Sequence, residues 1–178
     1  MNLPNRLTLL RIALVPVYLI SLALGTPVAR WLALGVFVAA ALTDLFDGRV
    51  ARARGQVTAF GKFMDPVADK LLVIPALVLM VEQGMVPAWV CIVFVAREFI
   101  VSGARLVAAE RGVVIAAGVW GKAKTATQIV AIALLTVNLA ALRWLAAACL
   151  YGATALTLIS CAVYLWEARG LLRETEGK

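Results

Sequence analysis

Long apolar stretches recur along this 178-residue chain, separated by short segments that contain charges, proline or glycine. Their length approaches the ~20 residues with which an α-helix crosses a hydrocarbon layer of ~30 Å. With 63% hydrophobic residues, the sequence predicts an all-α, polytopic membrane protein whose six transmembrane helices form one bundle. No linker divides the chain, so 1–178 is predicted to be a single domain. The predicted spans are 7–24, 29–43, 63–81, 86–108, 123–141 and 145–165.

The lysines and arginines near the ends of the spans indicate how the helices are oriented, because cytoplasmic loops are enriched in these residues. If the six spans alternate in direction, one side of the membrane receives only Arg30 and Arg143. The other side, which includes both termini, receives Arg6, Arg11, Arg49, Arg52, Arg54, Lys62, Arg105, Arg111, Lys122, Lys124, Arg169, Arg173 and Lys178. We therefore predict a multi-pass protein of the cell (inner) membrane, since no transit segment precedes the first span, with both termini in the cytoplasm. The same bias accounts for the net charge of +7, and no nucleic-acid binding is predicted.

All four aspartates of the chain lie around the end of the second predicted span and the start of the third. Asp44 and Asp47 are three residues apart, and Asp65 and Asp69 are four apart, so each pair projects from one face of its helix. Four ionised carboxylates at a membrane boundary repel one another unless cations bind or protons are taken up. Their oxygen atoms suit Mg²⁺, Mn²⁺ or Ca²⁺, and two such ions are the usual apparatus of phosphoryl transfer. For a single aspartate, a helix N-cap or a salt bridge to a loop arginine is the alternative.

A basic cluster lies in the second half of the chain. Arg97 and Arg105 are eight residues apart on similar faces of the fourth span, and Lys122 and Lys124 stand at the start of the fifth. Several cations together suit a phosphate-bearing substrate. Anchoring of the helix end in the cytoplasm is an equal alternative for Lys124. Arg97 lies within an apolar span and needs a partner, for which the neighbouring Glu98 is the candidate.

The acidic residues and their neighbours resemble the signature of the CDP-alcohol phosphotransferase family. The matching pattern is Asp44-x2-Asp47-Gly48-x2-Ala51-Arg52-x8-Gly61-x3-Asp65-x3-Asp69. The resemblance implies a six-helix membrane fold that forms a homodimer. It also implies an enzyme that transfers a phosphatidyl or related group from a CDP-linked donor to an alcohol and releases CMP.

Family roles carry over to this sequence by position. Asp44, Asp47 and Asp65 look like ligands of one Mg²⁺ or Mn²⁺ ion, and Asp44, Asp65 and Asp69 would hold a second. Asp69 also resembles the general base that takes the proton of the acceptor hydroxyl. The positions that the resemblance assigns to CDP binding are Asn5, Thr8, Gly48, Ala51, Arg52, Thr58 and Gly61. The predicted ligands of an acceptor phosphate are Arg97, Arg105, Lys122 and Lys124.

Further segments are similar to family members that use CDP-diacylglycerol and sn-glycerol 3-phosphate. These segments are Leu3-Pro4-Asn5, Phe60-Gly61-Lys62-Phe63-Met64-Asp65-Pro66-Val67-Ala68-Asp69-Lys70, Arg97-Glu98 and Trp120-Gly121-Lys122-x-Lys124-Thr125. The implied partners are these two substrates, membrane lipids and a second copy of the chain, with the site facing the cytoplasm. Inositol phosphate, serine and phosphatidylglycerol are alternative acceptors, of which the basic cluster disfavours serine most. Outside the family, the aspartates also fit a cation or proton transporter, and a non-catalytic membrane scaffold is a further alternative.

Overall fold

The computed structural model describes the backbone of residues 3–53, 59–110, 112 and 118–176. Within these ranges, the side chains of 3–5, 44–53, 59–63, 65, 66, 69, 167 and 170–176 lie outside the description. The described residues form six α-helices and no strand, so the all-α prediction is confirmed. The helices are α1 Leu3–Leu24, α2 Pro27–Ala53, α3 Ala59–Glu82, α4 Ala88–Glu110, α5 Val119–Val137 and α6 Arg143–Glu176, with a 3₁₀ turn at Ala140–Leu142 before α6.

Each predicted span coincides with one helix, but several helices are longer than their apolar stretches. α2 continues past residue 43 to Ala53, and α6 continues past residue 165 to Glu176. Both extensions contain alanine, leucine and arginine, which favour a helix even where charged residues end the apolar stretch. Asp44, Asp47 and Gly48, expected at the end of the second helix, therefore lie inside α2.

Two helical segments in the described part of the chain are long and apolar enough to cross a membrane. They are Arg6–Leu24 and Ala140–Trp166, and Pro27–Thr43 is a shorter apolar helix. In α4, charged residues near the middle interrupt the apolar sequence. The number of helices agrees with the six predicted spans, while their crossing of a membrane stays a prediction.

Contacts between helices divide the chain into two compact units. The first unit is Met1–Val86 with Ile132–Arg143, and the second unit is Pro87–Ala131 with Trp144–Lys178. In the first unit, α1 packs against α2 and α3, and α2 also contacts α3. Tyr18 of α1 is fully buried, with its ring 5.3 Å from that of Phe37 and its hydroxyl 3.0 Å from Thr136 Oγ1. This hydrogen bond ties the last turn of α5 to α1.

One arginine joins the helix ends of the first unit. α1 ends before Gly25, whose φ of 65° lies in the left-handed region that glycine adopts without strain. Arg30 Nε donates to the Gly25 carbonyl oxygen at 3.1 Å, and Arg30 Nη1 donates to the Thr136 carbonyl oxygen at 3.3 Å. Gln83, just after α3, accepts from Arg30 Nη2 at 3.5 Å and donates to the Leu22 carbonyl oxygen at 3.0 Å. A cation beside the free carbonyl groups of helix C-termini is favourable, so Arg30 caps the ends of α1 and α5.

In the second unit, α4 and α6 meet at two places along their length. Near the start of α4, the ring of Trp89 stacks on that of Tyr151, with 6.1 Å between the centroids. Farther along is a small buried cluster. It consists of Val101, Tyr164 and Ala168, with Ala104 and Cys161 packed against it. The cluster places the C-terminal half of α4 against the C-terminal half of the apolar part of α6.

Candidate active site

The four aspartates of the signature lie on two contacting helices of the first unit. Asp44 and Asp47 belong to α2, and Asp65 and Asp69 belong to the first half of α3. Helical backbone at these positions puts the members of each pair on one face of their helix. The four side chains lie outside the described residues, so the distances between the carboxylates stay predictions. Among the side chains that are described, no group of three His, Cys, Asp or Glu is arranged to hold a metal ion.

The positions assigned to CDP binding fall mainly on α1, α2 and α3. Those on helices are Asn5 and Thr8 on α1, Gly48, Ala51 and Arg52 on α2, and Gly61 on α3. Of this set, only Thr8 is among the described side chains, and Thr58 lies outside the described residues altogether. Thr8 is 1% exposed and takes part in an interaction within the protein. Ligand contact by Thr8 and by the other members of the set therefore stays a prediction.

Glu98 of α4 binds two cations at once in the second unit. Its Oε1 accepts a hydrogen bond from Lys124 Nζ at 2.6 Å and one from Arg97 Nη1 at 3.1 Å. The side chains of Lys124, Arg97 and Glu98 are only 5%, 13% and 23% exposed. The candidate partner of Arg97 is thus confirmed. Lys124, for which anchoring at the membrane surface was an alternative, is instead an interior residue that pairs α5 with α4.

The charges of this Glu98 cluster do not cancel, because two cations surround one carboxylate. A charge removed from water needs a counter-charge, and Arg97 Nε is buried without a hydrogen-bond partner among the described residues. A Cβ built on Gly121 would lie 3.8 Å from Arg97 Nη2, so the guanidinium lies beside the first turn of α5. Amide groups at the start of a helix also favour anions. The cluster therefore has the chemistry to bind an anion such as a phosphate group.

The other two predicted phosphate ligands, Lys122 and Arg105, are exposed. Arg105 lies over the ring of Tyr164, with its Cζ 5.5 Å from the ring centroid. Tyr164 is 5% exposed, and its hydroxyl has no hydrogen-bond partner among the described residues. Tyr164 is not among the residues predicted from the sequence, because a tyrosine within an apolar stretch predicts only packing. Its nearness to Arg105 depends on how α4 packs on α6.

An open apolar groove of about 560 Å³ lies in the first unit along α1 and α3. Its lining residues are Leu19, Ile20, Ala23, Ile74, Pro75, Val78 and Leu79. All of these side chains are apolar. The groove suits hydrocarbon, and it offers no group that would hold a nucleotide or a phosphate.

Comparison with known proteins tests the resemblance read from the aspartates. The sequence model for CDP-alcohol phosphatidyltransferase matches residues 1–165 of the chain. The chain belongs to the CDP-alcohol phosphatidyltransferase family. As a member of that family it is a transferase, which agrees with the enzyme class that the resemblance implied.

Bacterial relatives of this CDP-alcohol phosphatidyltransferase are similar over most of its length. The CDP-diacylglycerol–glycerol-3-phosphate 3-phosphatidyltransferase of Bacillus subtilis (strain 168) is 46% identical over 149 residues, which cover 77% of each chain. The protein of the same name from Pseudomonas fluorescens is 40% identical over 188 residues, covering 100% of this chain and 95% of the relative. The probable phosphatidylglycerophosphate synthase of Mycobacterium tuberculosis (strain ATCC 25618 / H37Rv) is 41% identical over 172 residues, covering 94% of this chain and 81% of the relative.

Proposed function

We propose that this chain transfers a phosphatidyl group from CDP-diacylglycerol to sn-glycerol 3-phosphate, giving phosphatidylglycerophosphate and CMP. The observation that carries the proposal is its identity of 46% and 40% to two relatives whose names specify this donor and this acceptor. The Glu98 cluster supports the assignment, because its uncompensated positive charge suits an acceptor that carries phosphate. Serine, which carries none, is disfavoured on the same ground.

In the proposed reaction, a hydroxyl oxygen of glycerol 3-phosphate attacks the β-phosphorus of CDP-diacylglycerol. A new phosphorus–oxygen bond forms to the acceptor, and the bond between the β-phosphorus and the bridging oxygen breaks, so that CMP leaves with the electron pair. Asp69 takes the proton of the attacking hydroxyl. The acceptor phosphate is bound by Arg97, Arg105, Lys122 and Lys124, and the CDP group by Asn5, Thr8, Gly48, Ala51, Arg52, Thr58 and Gly61.

The proposal includes divalent metal ions as cofactors. Asp44, Asp47, Asp65 and Asp69 offer oxygen ligands alone, which is the donor set that Mg²⁺ and Mn²⁺ prefer. The two helices that carry these residues contact each other, as a shared set of ligands requires. When bound, two such ions would neutralise charge on the diphosphate and on the departing CMP.

A membrane location follows from the lipid donor and is supported by α6. Trp144 and Trp166, near the two ends of its apolar part, are 71% and 77% exposed. At ~1.5 Å per residue the segment between them is about 33 Å long, close to the ~30 Å of a hydrocarbon core. Tryptophan concentrates at the two membrane interfaces. The proposal extends to six crossings with the aspartates on the cytoplasmic side, and to a homodimer as in the family.

The test is CMP release by purified protein in lipid with Mg²⁺ and CDP-diacylglycerol. Glycerol 3-phosphate, inositol phosphate, serine and phosphatidylglycerol are offered one at a time, and we expect release with glycerol 3-phosphate alone. Asp69→Asn should abolish release. Glu82→Gln, which removes an exposed carboxylate at the C-terminal end of the same helix, is the matched control and should leave the rate unchanged.

Other outcomes change the proposal in defined ways. Release with a different acceptor would keep the family chemistry and replace glycerol 3-phosphate. Full activity of Asp69→Asn would remove that residue from the role of general base. Cation flux across the membrane of vesicles that contain the folded protein, without CMP release in the presence of any acceptor, would favour the alternative that the protein is a transporter.

A further inference from the structure

Tyr164 of the second unit combines a buried ring with an unpaired hydroxyl among the described residues. Its side chain is 5% exposed and packs against Val101 of α4 and Ala168 of its own helix. The hydroxyl is buried without a hydrogen-bond partner in the described part of the chain. Buried hydroxyl groups are nearly always paired, and leaving one unpaired lowers stability. An unpaired hydroxyl in this position therefore needs an explanation.

The surroundings of Tyr164 are cationic. The exposed guanidinium of Arg105 lies over the face of its ring, 5.5 Å from the centroid. Arg97, Val101 and Arg105 follow one another at intervals of four on α4, so they share one side of that helix. Val101, the middle residue, is the one that packs on Tyr164. Arg97 has a buried and unpaired Nε of its own.

Two unpaired hydrogen-bond donors and an exposed guanidinium thus occur along one side of α4. All three groups donate, and none of them carries negative charge. A ligand for these groups must accept hydrogen bonds, and negative charge on it would compensate the guanidinium groups, which is the chemistry of a phosphate group. Arg97 and Arg105 were predicted as phosphate ligands from the sequence, whereas the tyrosine hydroxyl is a new member of the set.

We propose that Tyr164 is a specificity-determining residue, whose hydroxyl donates a hydrogen bond to a phosphate oxygen of the acceptor. This inference rests on the proposed function, because it concerns the phosphate of the same acceptor. The face of the ring contacts the guanidinium of Arg105, and the hydroxyl donates its hydrogen bond to the anion. An acceptor without a phosphate group leaves the hydroxyl unpaired, so Tyr164 favours phosphorylated acceptors over serine.

The chain provides matched controls, because its three tyrosines differ in what their hydroxyl groups contact. Tyr18 is hydrogen-bonded to Thr136, and Tyr151 is exposed and stacked on Trp89. Each of the three tyrosines is changed in turn to phenylalanine, a substitution that removes one oxygen atom and keeps the ring. Tyr164→Phe should raise the KM for glycerol 3-phosphate about ten-fold or more, because a hydrogen bond to a charged group is lost. The KM for CDP-diacylglycerol should not rise, and the thermal midpoint should not fall.

The two control variants should behave differently. Tyr18→Phe should lower the thermal midpoint, because it removes a buried hydrogen bond, and should leave both KM values unchanged. Tyr151→Phe should alter neither. A merely structural role of Tyr164 would instead lower its thermal midpoint or reduce kcat without a selective rise in the KM for the acceptor, and either result would overturn the inference.

A measurement without turnover separates this inference from the proposed function. Inorganic phosphate is added to each protein, and the shift in thermal midpoint is measured. We expect phosphate to stabilise the unmodified chain and the Tyr18 and Tyr151 variants, and to stabilise Tyr164→Phe much less. Equal stabilisation of all four proteins would overturn the role of Tyr164 even if CMP is released. Failure of CMP release with a selective loss of phosphate binding in Tyr164→Phe would overturn the proposed reaction, while supporting a hydrogen bond from Tyr164 to a phosphate.

Discussion

The ion pair between Lys124 and Glu98 supports a quantitative prediction for the second unit. Removing one member of a fully buried pair typically costs ~3–5 kcal/mol, because the other charge stays buried. Here Glu98 is 23% exposed and keeps Arg97 at 3.1 Å, so part of its charge remains compensated. We therefore expect Lys124→Gln to lower the free energy of unfolding by about 1.5–3 kcal/mol. Glu98→Gln, which leaves two cations facing each other, should lower it by a similar amount of about 1.5–3 kcal/mol.

A double-mutant cycle tests whether the pair itself is responsible. Unfolding in mixed micelles is followed by circular dichroism for the unmodified chain, each single variant and the double variant. The double variant should lose about 1–2 kcal/mol less than the sum of the two single losses. Lys122→Gln is the matched control, because Lys122 lies on the same helix but is exposed, and its effect should stay within about 0.5 kcal/mol. Additive losses, or equal losses for the two lysine variants, would refute the reasoning.

Three further predictions concern the first unit and the metal ions. Arg30→Met should lower the free energy of unfolding by about 1–3 kcal/mol, because the substitution removes a charged hydrogen-bond donor from the C-termini of two helices. An equal loss of stability in Arg143→Met, which changes an exposed arginine, would contradict this. Gly84→Ala should destabilise the protein by about 1 kcal/mol, because the φ of Gly84 is 69°, whereas Gly35→Ala should stabilise it by about 0.5–1 kcal/mol, because a Cβ on Gly35 inside α2 meets open space. Denaturation midpoints of the two variants that move in the same direction would disprove the contrast. EDTA should stop CMP release and Mg²⁺ or Mn²⁺ should restore it, so an unchanged rate in EDTA would remove divalent ions from the mechanism.

Sequence patterns predicted the features that depend on local spacing. The apolar stretches located all six helices, and an arginine within one of them correctly indicated its neighbour Glu98 as partner. The burial of Lys124 was not predictable, because it depends on contact between two helices whose paired residues are 26 positions apart. Tyr164 was missed for the same reason, since nothing in its own helix shows that Arg105 covers its ring. The roles of the aspartates stay predictions from the family signature, because their side chains lie outside the described residues.

Arg30 illustrates a different limit of reasoning from one segment. In the sequence it is a charge near the start of a span, and it serves only to predict how the helices are oriented in the membrane. Its contacts depend on where two other helices end, because its acceptors include Gln83 after α3 and Thr136 in the last turn of α5. Hydropathy locates such ends only to within a few residues. Three-dimensional packing therefore decides that this arginine caps helices.

The order of synthesis gives the Arg30 contacts a consequence of their own. Its bond to Gly25 spans five residues, whereas its bonds to Gln83 and Thr136 span 53 and 106. At ~5–20 residues per second, Thr136 is made about 5–20 seconds after Arg30. The first unit includes Ile132–Arg143, so it stays incomplete while the whole of α4 is being made. A chain truncated before Ile132 should therefore be cleaved by protease within α1 to α3 more readily than the full chain, and equal resistance would show that these helices are stable without their late-made partner.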